Sequence, residues 1–233
     1  SKKLKKMKQV RIHNQQKLTT SHLPHWQASL ATRGILQSAL RAGWQGARRE
    51  WVYPIRDLNG HDIARRSKAY DSQAKPKYRW LPAKPKGCDY YYPPFSPSDS
   101  LLEAIARDDG RLYIAAGEVD VLTYAQAGIV NVLAWFGETS VPRHFNAHLN
   151  NLGVRHVIYL PDKDDAGLKS AIKVRDALLN SAITFEARHL PDSLPDKADT
   201  NDLWCALNFD AHAFRQHIDD APALKLQIGR AHV

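Results

Sequence analysis

From Ser21 to Gly46 the apolar residues recur at helical spacing: Leu23, Trp26 and Leu30, then Ile35, Ala39 and Leu40. Gly34 and Gly43 interrupt the run, so the pattern predicts two short helices joined by a turn. From Trp51 to Pro94 the period shortens to that of strands. WVYPI (51–55), a polar turn at 57–60 and DIARRSKAY (62–70) predict a hairpin. PKYRWLP (76–82) and CDYYYPP (88–94) add short aromatic strands bounded by prolines, and Pro93–Pro97 is expected to form a linker or domain boundary. Beyond Leu101 the two periods alternate. Strands are predicted at 111–117, 131–137, 154–162 and 183–191, helices at 119–128, 141–153 and 166–181, and further helix over 202–218. That alternation implies an α/β fold: a parallel sheet with helices on both faces, preceded by a smaller basic mixed α/β subdomain.

The composition is that of a globular domain. Of 233 residues 43% are hydrophobic and 24% charged, which excludes whole-chain disorder. No apolar run approaches the length of a membrane span, and no signal peptide is expected at the opening SKKLKKMKQVR, which reads as a basic arm over residues 1–20. The first residue is Ser rather than Met, which fits a piece cut from a longer protein. Two cysteines, Cys88 and Cys205, cannot form a disulfide scaffold, so a reducing, cytoplasmic setting is expected. With His22 and His25 they give no recognisable zinc spacing, and no Walker A sequence is present.

The net charge of +9 changes the picture once it is divided. Residues 1–110 carry a net +12 and residues 111–233 a net −3. A basic half beside an acidic half suggests a polyanion surface next to chemistry that needs carboxylates. The acids fall where such chemistry would sit. Strand 111–117 runs into Glu118-Val-Asp120, and strand 154–162 ends in Asp162-Lys-Asp164, followed by Gly167. Open parallel sheets bind ligands at the carboxyl ends of their strands, and hard divalent cations take carboxylate oxygens. Helix N-capping is the structural alternative for these acids, Asp165 above all.

These residues carry a resemblance. AGEVDVLTYAQAGIVNVLAWFG (116–137) followed by YLPDKDDAGLKSAIKVRDALL (159–179) is similar to the Toprim domain shared by bacterial-type primases, topoisomerases and some nucleases. The D-x-D-x-x-G element is complete in Asp162, Asp164 and Gly167; Gly117 and Asp120 match the E-G-x-x-D element, and Gly137 the glycine turn between them. The family's Glu falls on Ala116, with Glu118 the nearest carboxylate. YPIRDLNGHDIARR (53–66) with KPKYRWLP (75–82) resembles the basic subdomain that precedes Toprim in primases, and LPDKADTNDLW (194–204) resembles the element that closes the region in phage and plasmid replication proteins.

The resemblance implies a DNA primase core of phage or plasmid type, making RNA primers on a single-stranded DNA template from NTPs, with Mg²⁺ or Mn²⁺ as cofactor and a replicative helicase as partner. Glu118, Asp162 and Asp164 would be catalytic, and these three with Asp120 would hold metal. By position Arg56, Arg65, Arg66, Lys68, Lys77 and Arg79 would neutralise phosphates, and Gly117, Gly137 and Gly167 would serve as structural turns. Tyr78, Trp80 and Tyr90–Tyr92 could stack on bases or pack in the core. A Toprim module without catalysis, binding DNA or recruiting a helicase, is the rival reading, and a Toprim nuclease the third. The expected organisation is the arm, a basic primase-like subdomain at 21–97, a Toprim-like domain at 101–220, and a non-native tail at 228–233, whose IGRAHV matches a translated sequencing adapter.

Overall fold

A computed structural model of the chain describes residues 23–47, 49–71, 73–95, 101–135 and 141–226. The arm, the tail and Gly137 lie outside the described residues. Among the described residues helices α1 (His25–Thr32) and α2 (Leu36–Arg41) come first, as the apolar spacing predicts. Gly34 sits between them at φ +64°, where a Cβ would also strike the rings of Phe209 and Trp204, so only glycine fits that turn.

Strands β1 (Gln45–Ala47), β2 (Glu50–Arg56), β3 (Asp62–Ala69) and β4 (Tyr78–Leu81) follow as an antiparallel sheet in chain order. Its inward face carries Trp51, Tyr53 and Ile55, each essentially buried. Burial of side chains this large contributes about 1.5–3 kcal/mol apiece. The segment CDYYYPP forms no strand. Tyr91 and Tyr92 instead make single bridges in opposite directions, Tyr91 to Arg56 and Tyr92 to Ala134. Residues 91–95 are buried, so Pro93 and Pro94 pack into a seam between the two sheets rather than spanning a free linker.

A helix that the sequence pattern missed, α3 (Leu101–Arg107), leads into the second half. There β5 (Arg111–Ile114), α4 (Glu118–Gln126), β6 (Val132–Leu133), α5 (Phe145–Asn151), β7 (His156–Tyr159), α6 (Asp165–Leu178) and β8 (Thr184–Ala187) build a parallel sheet of order β6-β5-β7-β8. Alternation along β5 decides which helices cover which face. Tyr113 points into the core shared with α4, α1 and α2, whereas Leu112 and Ile114 point into a second core with α3, α5 and α6. Residues 202–218 are not one helix but the ends of two, α7 (Thr200–Ala206) and α8 (Ala211–Asp220), parted where Asn208 and Phe209 adopt positive φ. No described helix is long and apolar enough to cross a membrane.

The halves are locked together through α4. Ser38 on α2 donates its hydroxyl to the Leu122 carbonyl at 2.7 Å, and the Ser38 N–H bonds Gln126 Oε1. Trp44 Nε1 donates to the Tyr92 hydroxyl at 2.6 Å.

Candidate functional site

The carboxylates lie at the carboxyl ends of β5 and β7, adjacent strands at the centre of the parallel sheet. After β5 the chain turns through Ala115–Gly117 directly into α4, which places Glu118 and Asp120 in the first helical turn, both buried. After β7 it passes Asp162 and enters α6 with Asp164 as N-cap, its Oδ1 accepting the Gly167 N–H at 2.8 Å. Asp165 is the first residue of that helix. Gly167 is dictated by contact: a Cβ there would sit 2.1 Å from the Asp162 carbonyl oxygen. Gly117 is different. Its φ of −155° suits any residue and a Cβ would meet only Asp120 Oδ2 at 3.9 Å, so the sharp turn expected there makes no demand for glycine.

Asp120 is the most strained charge in the site. Burial, then the charges of Asp199 and Asp162, push its carboxyl well above the usual range, with Lys68 opposing. Its Oδ1 is buried without a hydrogen-bond partner among the described residues. Asp199 is a residue that sequence reasoning passed over, although it lies within LPDKADTNDLW. It caps α7 by accepting the Asp202 N–H, and backbone bonds from Lys163 to Ala198 and from Lys197 to Lys163 hold its loop against the β7 end. Burial raises the Asp199 carboxyl too, and Asp202 adds to the shift against the bond from its own backbone N–H. A buried, orphaned carboxylate oxygen among mutually repelling acids fits a divalent cation. The carboxylates are more widely spaced than a tight cage, since among the described residues only Asp89, His144 and His148 bring three ligand atoms within 4.8 Å of one another. Magnesium, which keeps several waters and uses one or two carboxylates, suits that spacing.

The pressure on Asp120 has a sign in stability. A carboxyl whose pKa is raised by folding destabilises the fold as pH climbs from its unfolded value through the folded one. Asp120→Asn is therefore expected to raise the melting temperature of the metal-free protein at neutral pH, by about 2–4 °C for each kcal/mol relieved. The advantage should shrink as pH falls toward about 4. Thermal melts of both proteins in chelator across that range check it.

Glu118 is paired rather than exposed. Lys68 on β3 reaches across from the antiparallel sheet and sets its Nζ 3.0 Å from Glu118 Oε1. Burial disfavours the charged carboxylate, but the Lys68 ammonium, the backbone N–H of Glu118 and Arg66 together hold it below its ordinary range. Burial likewise acts to lower the Lys68 pKa, and Glu118 reverses it into a rise. A carboxylate so held is a weak proton acceptor, which limits the chemistry open to Glu118 in the catalytic role that the resemblance implies.

Strand alternation sorts the six candidate cations. In register, Trp51 faces Lys68 and Lys68 faces Tyr78, while Tyr53 faces Arg66 and Arg66 faces Trp80. Arg66 and Lys68 thus share the face turned toward α4, with the Arg66 guanidinium 4.6 Å and 5.1 Å from the Tyr78 and Trp80 ring centres. Arg65 and Arg79 are exposed and alternate to the other face, Arg79 paired with Glu50, and Lys77 is exposed just before β4. Arg56 departs from the phosphate-binding expectation: it is 5% exposed at the end of β2 and holds Asp62 at 2.9 Å. Tyr91 and Tyr92 are core residues.

A parallel sheet with acids beyond its two central strands, closed by a helix capped by Asp199, is the Toprim arrangement. Residues 113–204 match the Toprim-like family. Together with the subdomain before it, the chain is similar to Toprim-domain DNA primases. It is 27% identical over 185 residues to a DNA primase of Legionella pneumophila, covering 73% of this chain and 30% of that protein. In fold it is similar to a DNA primase domain from Pseudomonas aeruginosa, with a TM-score of 0.57 at 24% identity over 81% of this chain and 60% of that one. It is similar also to a DnaG primase catalytic domain bound to ssDNA, with a TM-score of 0.56 at 23% identity over 87% and 61% of the two chains. The chain therefore spans under a third of the Legionella protein and about three fifths of the solved cores.

Proposed function

We propose that this chain is the nucleotidyl-transfer part of a DNA primase that makes RNA primers on single-stranded DNA, in a phage- or plasmid-type replication system alongside a replicative helicase. The observation that carries the reading is the buried Asp120 carboxylate, its oxygen unpartnered and its proton affinity raised by Asp199 and Asp162. Asp120, Asp162 and Asp164 would hold Mg²⁺ or Mn²⁺, with Asp199 adding charge beside them. Held by these residues, such an ion would supply charge neutralisation to the phosphates during nucleotide transfer. The protein's own groups do the rest. Lys68 fixes the helix that carries Asp120, and Arg65, Lys77 and Arg79 offer an exposed basic face for a phosphate backbone. The DNA named in the ssDNA-bound relative supports a nucleic-acid template here.

The test is synthesis by the purified chain with Mg²⁺ or Mn²⁺, NTPs and several single-stranded templates. Template-dependent short oligonucleotides are expected; no product on any template would count against the reading. A second reading, a Toprim module that binds DNA without catalysis, is favoured by Ala116 at the usual Glu position and by the Lys68 lock on Glu118. Glu118→Gln separates the two: reduced synthesis with DNA binding intact supports the enzyme, and a parent with DNA binding and no synthesis supports the module.

A further inference from the structure

Apart from the carboxylate site, and sharing none of its residues, lies a second group of ligating side chains. Asp89 comes from the segment that joins the two sheets; His144 immediately precedes α5, and the half-buried His148 lies on that helix, four residues on. Asp89 Oδ2 stands 3.1 Å from His144 Nδ1 and 3.9 Å from His148 Nδ1, and it accepts the His144 backbone N–H at 2.8 Å. The Tyr91 hydroxyl approaches the same His148 Nδ1 at 2.9 Å, a contact that a metal bound through that nitrogen would replace. The Asp89 side chain is only 15% exposed, and among the described residues its ion-pair partners are these two imidazoles, with no lysine or arginine beside it. All three side chains open onto a cavity of about 740 Å³.

We propose that Asp89, His144 and His148 form a binding site for a divalent transition metal, zinc in the first instance, separate from the magnesium-type carboxylate cluster. Tetrahedral zinc with nitrogen and oxygen ligands about 2.0–2.2 Å away sets those ligands roughly 3.3–3.6 Å apart. The 3.1 Å and 3.9 Å separations bracket that value, and all three ligand atoms lie within 4.8 Å of one another, so rotation of the side chains would complete the site. The donor set selects the ion: imidazole suits zinc, whereas magnesium takes oxygen ligands and keeps its water. The fourth position faces the cavity, leaving room for water. Because Asp89 and His144 are 55 residues apart in sequence, the metal would clasp the segment between the sheets to α5. That clasp would hold the Tyr91–Tyr92 seam, through which β2 is joined to β6.

The experiment is zinc binding to the chelator-stripped full chain in the presence of excess Mg²⁺, followed by equilibrium dialysis and by thermal melting. One zinc per chain and a higher melting temperature are expected. Asp89→Asn and the double variant His144→Ala with His148→Ala should each weaken binding by more than about tenfold. Circular dichroism is expected to show these variants folded, since the altered side chains line an open cavity. Asp162→Asn with Asp164→Asn should bind zinc as the parent does, which separates this site from the proposed primase chemistry. Failure of the parent to retain zinc against Mg²⁺, or equal retention by the double histidine variant, would overturn the proposal.

Discussion

Asp162→Asn combined with Asp164→Asn is expected to lower primer synthesis by about a thousandfold or more while leaving the protein folded. Carboxylates that hold an ion against the reacting phosphates contribute several kcal/mol to the transition state, and each 1.4 kcal/mol is tenfold in rate. The substitution is mild for the fold. Asparagine caps helices as well as aspartate, so the bond from the Gly167 N–H at the start of α6 survives. Removal of the Asp162 charge also relieves Asp120, whose carboxyl is pushed up in part by Asp162. The expected signature is lost synthesis with an unchanged or raised melting temperature. Affinity for single-stranded DNA should persist, because Arg65 and Arg79 lie on the other sheet, on the face turned away from α4, and Lys77 is exposed beside them. Synthesis assays, melts and DNA titrations of the same preparation check the three parts together. A drop in stability in step with activity would reassign both residues to the fold.

Lys68→Met is expected to cost about 3–5 kcal/mol of stability, the penalty for leaving a buried partner charge uncompensated. Glu118 would be that charge. Its side chain is 5% exposed and that of Lys68 14%, so solvent screens the pair little. The sign follows from the direction of the shift. Glu118 is held below its ordinary range in the fold, so the pair stabilises above the unfolded carboxyl value and the benefit is lost as pH falls through the folded one. The double variant Lys68→Met with Glu118→Gln should recover most of the loss, because a neutral amide opposite an apolar chain leaves no buried charge. Urea unfolding of the parent, both single variants and the double closes the cycle. A double variant no more stable than Lys68→Met alone would show that Lys68 acts through packing against Trp51 and Tyr78 and not through the ion pair.

The site was readable in the sequence wherever local geometry sets it. Acids that follow an apolar strand must emerge at its carboxyl end, and a glycine three residues after Asp164 fits the close approach to the Asp162 carbonyl. The parallel sheet followed from alternating periods, and the β2–β3 hairpin from its polar turn. Other features depend on contacts far apart in the chain, which no local pattern encodes. Lys68 looked like one more cation on a basic strand until register placed it opposite Trp51 and within reach of α4. Arg56 carried the same expectation, yet burial and Asp62 claim it. Asp199 joins the cluster because backbone bonds fold residues 196–199 against the β7 end, an event forty residues removed from β7 itself. The break between α7 and α8 escaped the pattern because it is made by Asn208 and Phe209 at positive φ, without glycine or proline. His144 and His148 had a visible i, i+4 spacing, but their third partner, Asp89, lies on a segment that reads as an aromatic strand.

The most direct measurement is Mn²⁺ binding, followed by the electron paramagnetic resonance signal of the free ion, in the parent and in the Asp162→Asn, Asp164→Asn variant. The parent is expected to deplete free Mn²⁺ in a manner that Mg²⁺ competes away, and the variant to leave it free. Equal depletion by the two proteins would contradict the assignment of these strand-end carboxylates as the metal site.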